Sequence, residues 1–193
     1  VSDVLIGIFV GGVGKRMGGV AKGLLPAPSG NETLVERLLR VCTSAAPGAK
    51  LCLVGSSPEY AELGVAQLID NPGGIGPLGG LRALLLRALD QSCPVALALA
   101  CDLPFLDEAV IASLLEPLQG AARVPVVDDR FQPLAAAYGT QRTLAAVERA
   151  LALGKHALMY VLDELGEDLE QLELDGAEAR TLRDWDTPED MNH

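Results

Sequence analysis

Aromatic residues are scarce: three Phe, three Tyr and one Trp make up 4% of a 193-residue chain whose hydrophobic share is 49%. A core with so few rings has to be filled by Leu, Val and Ala. The length suits one domain, 1–193, with a sizeable interior. Basic charge is also short. Fifteen Lys and Arg face 26 Asp and Glu, a net charge of −11, so no nucleic-acid partner is expected, because such binders carry a basic footprint. No two cysteines have C-x-x-C spacing. Cys42, Cys52, Cys93 and Cys101 read as reduced core residues of a cytoplasmic protein, not as zinc ligands. No apolar run is long enough to cross a bilayer and no secretory signal is visible, so no membrane association is expected. No Ser or Cys stands in a nucleophile motif, which gives no ground for a covalent mechanism.

Glycine is abundant, and it is concentrated. Six of the thirteen residues from 11 to 23 are Gly: Gly11, Gly12, Gly14, Gly18, Gly19 and Gly23. They follow the apolar run 4–10, which reads as a buried first strand. A loop stripped of side chains can turn its backbone N–H groups toward a phosphate chain. Lys15, Arg16 and Lys22 add three cations to it. The stretch is no Walker A loop: Arg16 stands where the hydroxyl after G-K belongs, and Phe9 where the first glycine belongs. Nor is it G-x-G-x-x-G, since Met17 replaces the last glycine.

The rest alternates. Thr33 and Glu36 form a capping-box pattern ahead of a helix ended by Pro47-Gly48. A strand over 50–54, a short helix over 58–63 and a weak strand over 65–69 follow. A second glycine loop, 73–80, precedes a helix over 81–89. The clearest buried strand, 95–100, runs into Asp102, and a helix over 107–116 comes next. This order predicts an α/β fold, Rossmann-like, with a mostly parallel sheet and helices on both faces. Ligands of such sheets bind beyond the carboxyl ends of the strands, where the first glycine loop, Asp70 and Asp102 can converge. In the second half, 124–127 and 132–138 flank a turn at Asp128-Asp129-Arg130, as a hairpin over the sheet edge. Helices are expected over 140–153 and 156–165, a solvated strand face within 164–173, and a last short helix at 187–190.

Asp102 is the strongest single candidate for chemistry. An ionised carboxylate closing a buried strand is costly unless a metal or donor compensates it, and magnesium shared with two phosphates would do so. A helix or turn cap is the alternative. If it awaits a metal, Asp102 burdens the metal-free fold, and Asn there should be neutral or stabilising. Asp184 and Asp186 alternate along an extended segment and can supply further carboxylates, or else begin a surface helix. Asp70 either accepts hydrogen bonds from a nucleoside or serves the turn before Asn71-Pro72. His156 reads as structural.

Taken together, G-G-x-G-x-R-M-G-G-x-x-K at 11–22, Asp70, Gly76-Pro77-Leu78-Gly79-Gly80, Cys101-Asp102-Leu103-Pro104 and Gln132-Pro133-Leu134 form an ordered set. The chain resembles the molybdenum cofactor guanylyltransferases along nearly its whole length. The resemblance implies transfer of GMP from GTP to the phosphate of molybdopterin, or of the molybdenum cofactor, with release of pyrophosphate and with Mg2+ as cofactor. It implies Val10, Gly11, Gly12, Gly14, Arg16, Lys22, Asp70, Gly79 and Asp102 as the nucleotide site. Arg16, Lys22 and Asp102 are then the catalytic residues, and Asp102 the metal ligand with Asp186 and Asp184 beside it. Four residues depart from the family pattern: Val10 for Ala, Ala21 for Asp before the lysine, and Asp184 and Asp186 for Asn. Acidic residues there are also similar to a sister group that transfers cytidylyl. The Gly11-Gly12 pair is similar to the guanylyl group. Cytidylyl transfer and a nucleotide-binding module without catalysis are the alternatives.

Overall fold

The structure, a computed structural model, describes residues 3–11, 21–185 and 190. The expected helix at 187–190 lies largely outside them. Eight strands form one sheet in the order β3-β2-β1-β4-β7-β5-β6, with β8 paired to β5. The strands are β1 (Val4–Phe9), β2 (Lys50–Val54), β3 (Gln67–Leu68), β4 (Val95–Ala100), β5 (Ala122–Val127), β6 (Arg130–Phe131), β7 (Ala135–Gly139) and β8 (Leu169–Glu173). The helices are α1 (Leu34–Ala45), α2 (Pro77–Asp90), α3 (Glu108–Leu114), α4 (Thr140–Ala152), α5 (Leu158–Leu165) and α6 (Gly176–Thr181).

Strand alternation sorts the core into two layers. Val4, Ile6 and Ile8 of β1, with Leu97 and Leu99 of β4, face α1 and α3. Leu5 and Phe9, with Ala96 and Ala98, face α2, α4 and α5. Gly7 lets α2 sit close, because a Cβ there would stand 2.6 Å from Leu84 Cδ1. Leu and Ala fill both layers, as the scarcity of aromatics requires. The four cysteines are free and buried. Thr33 and Glu36 close the expected capping box on α1.

The sheet is mostly parallel, as expected, and is mixed only through β6 and β7. β1, β2, β3 and β4 pair in parallel, as do β5 and β8, but β7 runs antiparallel to both β4 and β5. The expected hairpin forms at Asp128-Asp129, both with positive φ. Its returning strand does not cover the edge. After β6 the chain enters the sheet as β7, between β5 and β4, and β8 takes the outer side of β5. The short, buried Ala side chains of β7 allow this central position.

Several bounds differ from expectation for local reasons. β3 is only two residues long, and Ile69 beyond it is 76% exposed. Residues 58–63 form a 3₁₀ turn, and α5 starts at Leu158 rather than 156. α3 begins after Asp107, whose side chain accepts from the Val110 N–H. α2 begins at Pro77, so half of the second glycine loop is helix. Pro77 presets the first turn, and the glycines are there for contact: a Cβ on Gly79 would stand 2.2 Å from the Pro72 carbonyl oxygen, and one on Gly80 2.8 Å from Phe9. α6 was not expected, although Asp175 and Glu178 give it a full capping box.

Candidate active site

The direction of successive connections changes at β1. From it the chain winds outward through β2 to β3, and then returns to place β4 on its other side. The carboxyl ends of β1 and β4 flank this switch point, where open α/β sheets hold ligands. Backbone bonds tie the ends together: the Val10 N–H donates to Val54 O at 2.9 Å and the Cys101 N–H to Phe9 O at 3.1 Å. Val10 is buried, Gly11 is exposed, and the glycine loop departs between them and Lys22. Gly12, Gly14, Lys15, Arg16 and Asp186 lie outside the described residues.

Across this junction the Lys22 ammonium meets the Asp102 carboxylate, with Nζ 2.8 Å from Oδ2 and both side chains 18% exposed. The structure thus brings together the two ends of the expected site and supplies a cation to Asp102 without any metal. The expectation that Asp102 is an uncompensated charge in the metal-free fold is overturned. Asp102 is not a helix cap either, since Asp107 caps α3.

Lys22 opens a 3₁₀ turn, Lys22–Leu24, whose Gly23 packs on Tyr60; a Cβ there would lie 2.9 Å from the Tyr60 Oη. Burial pushes the Tyr60 phenol and the Cys101 thiol each up to about 12. A thiol so far from ionising is a poor nucleophile at neutral pH. On the other side, the Trp185 N–H donates to Asp102 O at 3.0 Å. Its ring meets Phe105 edge-on with centroids 6.1 Å apart and packs with Leu25, Ala27 and Leu34. Asp184 therefore arrives beside the β4 end, on the wall of a polar cleft.

Asp70 stands apart from Asp102. It follows β3, three strands along the sheet from β4. Its carboxyl lies against the start of α2, 3.3 Å from where a Gly80 Cβ would be, and burial raises its pKa. No described residue hydrogen-bonds it, so it is available to accept from a ligand. Gly79 is buried in α2 with its N–H on Gly76 O and its carbonyl accepting from Asn71, so its fit against the Pro72 turn already accounts for it.

Three residues that shape the site were not singled out from sequence: Tyr60, Trp185 and Gly55. Gly55 ends β2 at φ 103, and a Cβ there would stand 2.8 Å from Gly11 N. Gly55→Ala is expected to cost about 1–3 kcal/mol of stability, because it combines a left-handed backbone with a backbone clash. It should also weaken nucleotide binding by displacing the start of the loop. A denaturant melt and a GTP titration check both; unchanged affinity would separate Gly55 from the loop.

Among the described residues there is no group of three or more His, Cys, Asp or Glu able to enclose a metal. Magnesium does not need one, because it commonly binds one or two carboxylates, waters and substrate phosphates. Asp102 fits that role. It is a largely buried carboxylate at a strand end, and among the described residues Lys22 engages Oδ2 and none engages Oδ1.

A parallel β3-β2-β1-β4 ladder with a glycine loop after β1 and an acid after β4 defines a Rossmann-like nucleotidyltransferase fold. A family model, the MobA-like NTP transferase domain, matches residues 6–173. The molybdenum cofactor guanylyltransferase of Pseudomonas fluorescens is 32% identical over 82% of this chain and 78% of its own. A probable molybdenum cofactor guanylyltransferase of Methanosarcina mazei is 27% identical over 96% and 87%. Molybdopterin-guanine dinucleotide biosynthesis protein A of Archaeoglobus fulgidus has the same fold, with a TM-score of 0.75 at 22% identity over 97% and 95%. The chain belongs to the MobA-like family of nucleotidyltransferases. No helix among the described residues is long and apolar enough to cross a membrane.

Proposed function

We propose that this protein transfers GMP from GTP to the terminal phosphate of molybdopterin. The observation that carries the proposal is the Lys22–Asp102 pair at the switch point of the sheet. It puts a cation that can hold phosphate beside a carboxylate that can hold magnesium. The choice of guanylyl and of this acceptor is supported by the similarity to the molybdenum cofactor guanylyltransferase of Pseudomonas fluorescens and by Gly11-Gly12.

An oxygen of the acceptor phosphate attacks the α-phosphorus of GTP. The bond to the bridging oxygen of the β-phosphate breaks, and pyrophosphate leaves with the electron pair. A phosphate monoester is dianionic near neutral pH and is itself the nucleophile, so the protein has no base to provide. Its work is positioning and charge neutralisation. Asp70 accepts from the nucleoside, Lys22 and Arg16 hold the phosphates, and Asp102 would hold magnesium, with Asp184 and Asp186 as further carboxylates. Bound there, magnesium would offset charge on the reacting phosphates. On nucleotide entry Lys22 passes from Asp102 to phosphate, so the pair seen here is the resting state of both groups.

Equal GTP and CTP, offered with molybdopterin and magnesium, test the proposal by the nucleotide found in the product. A guanine dinucleotide should dominate. A cytosine product would move the protein to cytidylyl transfer. GTP binding without pyrophosphate release would make it a non-catalytic module, as Ala21, Asp184 and Asp186 allow.

A further inference from the structure

The Lys22–Asp102 pair joins two pinned backbones through one movable side chain. Lys22 opens a 3₁₀ turn closed by the Leu24 N–H on Ala21 O and the Leu25 N–H on Lys22 O, at 2.9 and 3.0 Å. The turn is clamped on two sides. Gly23 lies against Tyr60 and Val35, where a Cβ would stand 2.9 Å from Tyr60 Oη and 3.4 Å from Val35 Cβ. Just beyond, the Leu34 N–H donates to Leu25 O at 2.9 Å and Pro26 bridges to Thr33, which ties the turn to the start of α1. Asp102 is held as firmly, by the Cys101 N–H on Phe9 O and the Trp185 N–H on Asp102 O. The part able to move is the Lys22 side chain, a flexible four-carbon stem with its charge at the tip.

On the reading above, metal goes to Asp102 and phosphate to Lys22. Each ligand then needs a group that the other group now holds. A metal ion alone at Asp102 would meet the ammonium at the same carboxylate, where both side chains are 18% exposed and water screens less than at an open surface. A triphosphate alone would draw Lys22 away and leave the Asp102 carboxylate bare beside its own negative charge. The two together strand no charge, because the lysine turns to phosphate as the metal takes the carboxylate. Ion pairs of this exposure are modest, so the exchange is within reach of phosphate binding. The same modest strength suffices against a cation that binds only one or two carboxylates and otherwise water.

We propose that the Lys22–Asp102 pair is a latch: it bars divalent metal from the resting site until a phosphate chain draws Lys22 away, so the protein takes up metal and nucleotide as one unit. The inference rests on the nucleotidyl-transfer assignment above and adds an order of events to it. The latch is a side-chain device, since the backbones on both sides of it are fixed.

The test titrates Mn2+, a paramagnetic stand-in for magnesium, into the nucleotide-free protein. Electron paramagnetic resonance counts the unbound Mn2+. Quenching of Trp185 fluorescence reports binding near Asp102, because Trp185 is the sole tryptophan and its backbone N–H is bonded to Asp102 O. Lys22→Met keeps the stem and removes the charge. It should bind Mn2+ about tenfold or more tightly than the parent. Adding Asp102→Asn should abolish that gain, which separates this carboxylate from the others in a chain of net charge −11. Equal Mn2+ affinity in the parent and Lys22→Met overturns the latch, and so does a gain that survives Asp102→Asn. Should Lys22→Met fail to fold in a urea melt, Lys22→Gln takes its place under the same criteria. Turnover of the parent with GTP, molybdopterin and magnesium is measured separately. A parent without turnover fails the transfer assignment, while the Mn2+ comparison still decides the latch.

Discussion

Asp102→Asn is expected to slow nucleotidyl transfer by about a hundredfold or more, the scale of removing one charge stabiliser from a transition state. The expected change in stability is small and unfavourable. Asn still offers an oxygen to the Lys22 ammonium, but the ion pair is lost. For two side chains each 18% exposed, that loss is about 1 kcal/mol after solvent screening. A carboxylate waiting alone for magnesium would give the opposite sign, with the variant more stable than the parent in chelator. Turnover at saturating GTP and magnesium, with a denaturant melt in chelator, reads both. Near-normal turnover would remove Asp102 from the reaction and the mechanism with it.

Arg123→Met should be the most damaging single change to the fold, at about 3–5 kcal/mol, as for breaking one side of a buried ion pair. This β5 residue is only 9% exposed. It donates to the carbonyls of Ser113, Leu114, Glu116 and Pro117 as α3 ends, and to Glu170 Oε2 of β8 at 2.7 Å. Glu170 in turn accepts from the Gln119 and Gly120 N–H groups. Met keeps the stem, leaves four carbonyls without this donor, and leaves the Glu170 carboxylate with only its two backbone N–H donors on Oε1. The deficit should depend on pH. Burial pushes the Glu170 carboxyl up, but the Gly120 and Gln119 N–H groups and Arg123 outweigh it and hold it below its usual value. A depressed carboxyl stabilises above its unfolded-state value, about 4.5, and loses that contribution as pH falls through the folded value. Parent and variant should therefore converge on acidification. Urea melts from neutral pH to below 4 would show it; a gap constant with pH would assign the cost to the carbonyls alone.

The parallel half of the molecule was legible because local and global signals agree there. An apolar run, glycines and an acid after a second apolar run mark β1, its loop and the end of β4 in their order along the chain. What failed to show was whatever depends on a partner distant in sequence. The Lys22–Asp102 pair joins residues 80 apart, and no local pattern announces it. Gly79 and Gly80 look like loop until Pro72, Phe9 and Asp70 are found against them. The segment 132–138 reads correctly as a strand after a turn. Its place in the middle of the sheet follows from Ala side chains short enough to be covered on both faces, a property that alternation alone does not express. Trp185 is masked by its charged neighbours, although a lone tryptophan in so ring-poor a chain is a signal of its own.

The reversed direction of β7 has an evolutionary consequence. A strand that runs against β4 begins at the rim where β4 ends, so whatever the hairpin carries is delivered to the reaction centre by a short connection. No rung of the β3-β2-β1-β4 ladder passes through residues 128–132. That turn is thus a cassette. It can be lengthened, recharged or exchanged between relatives while the machinery that handles the triphosphate stays fixed, and one scaffold can diversify its clients without relearning its chemistry.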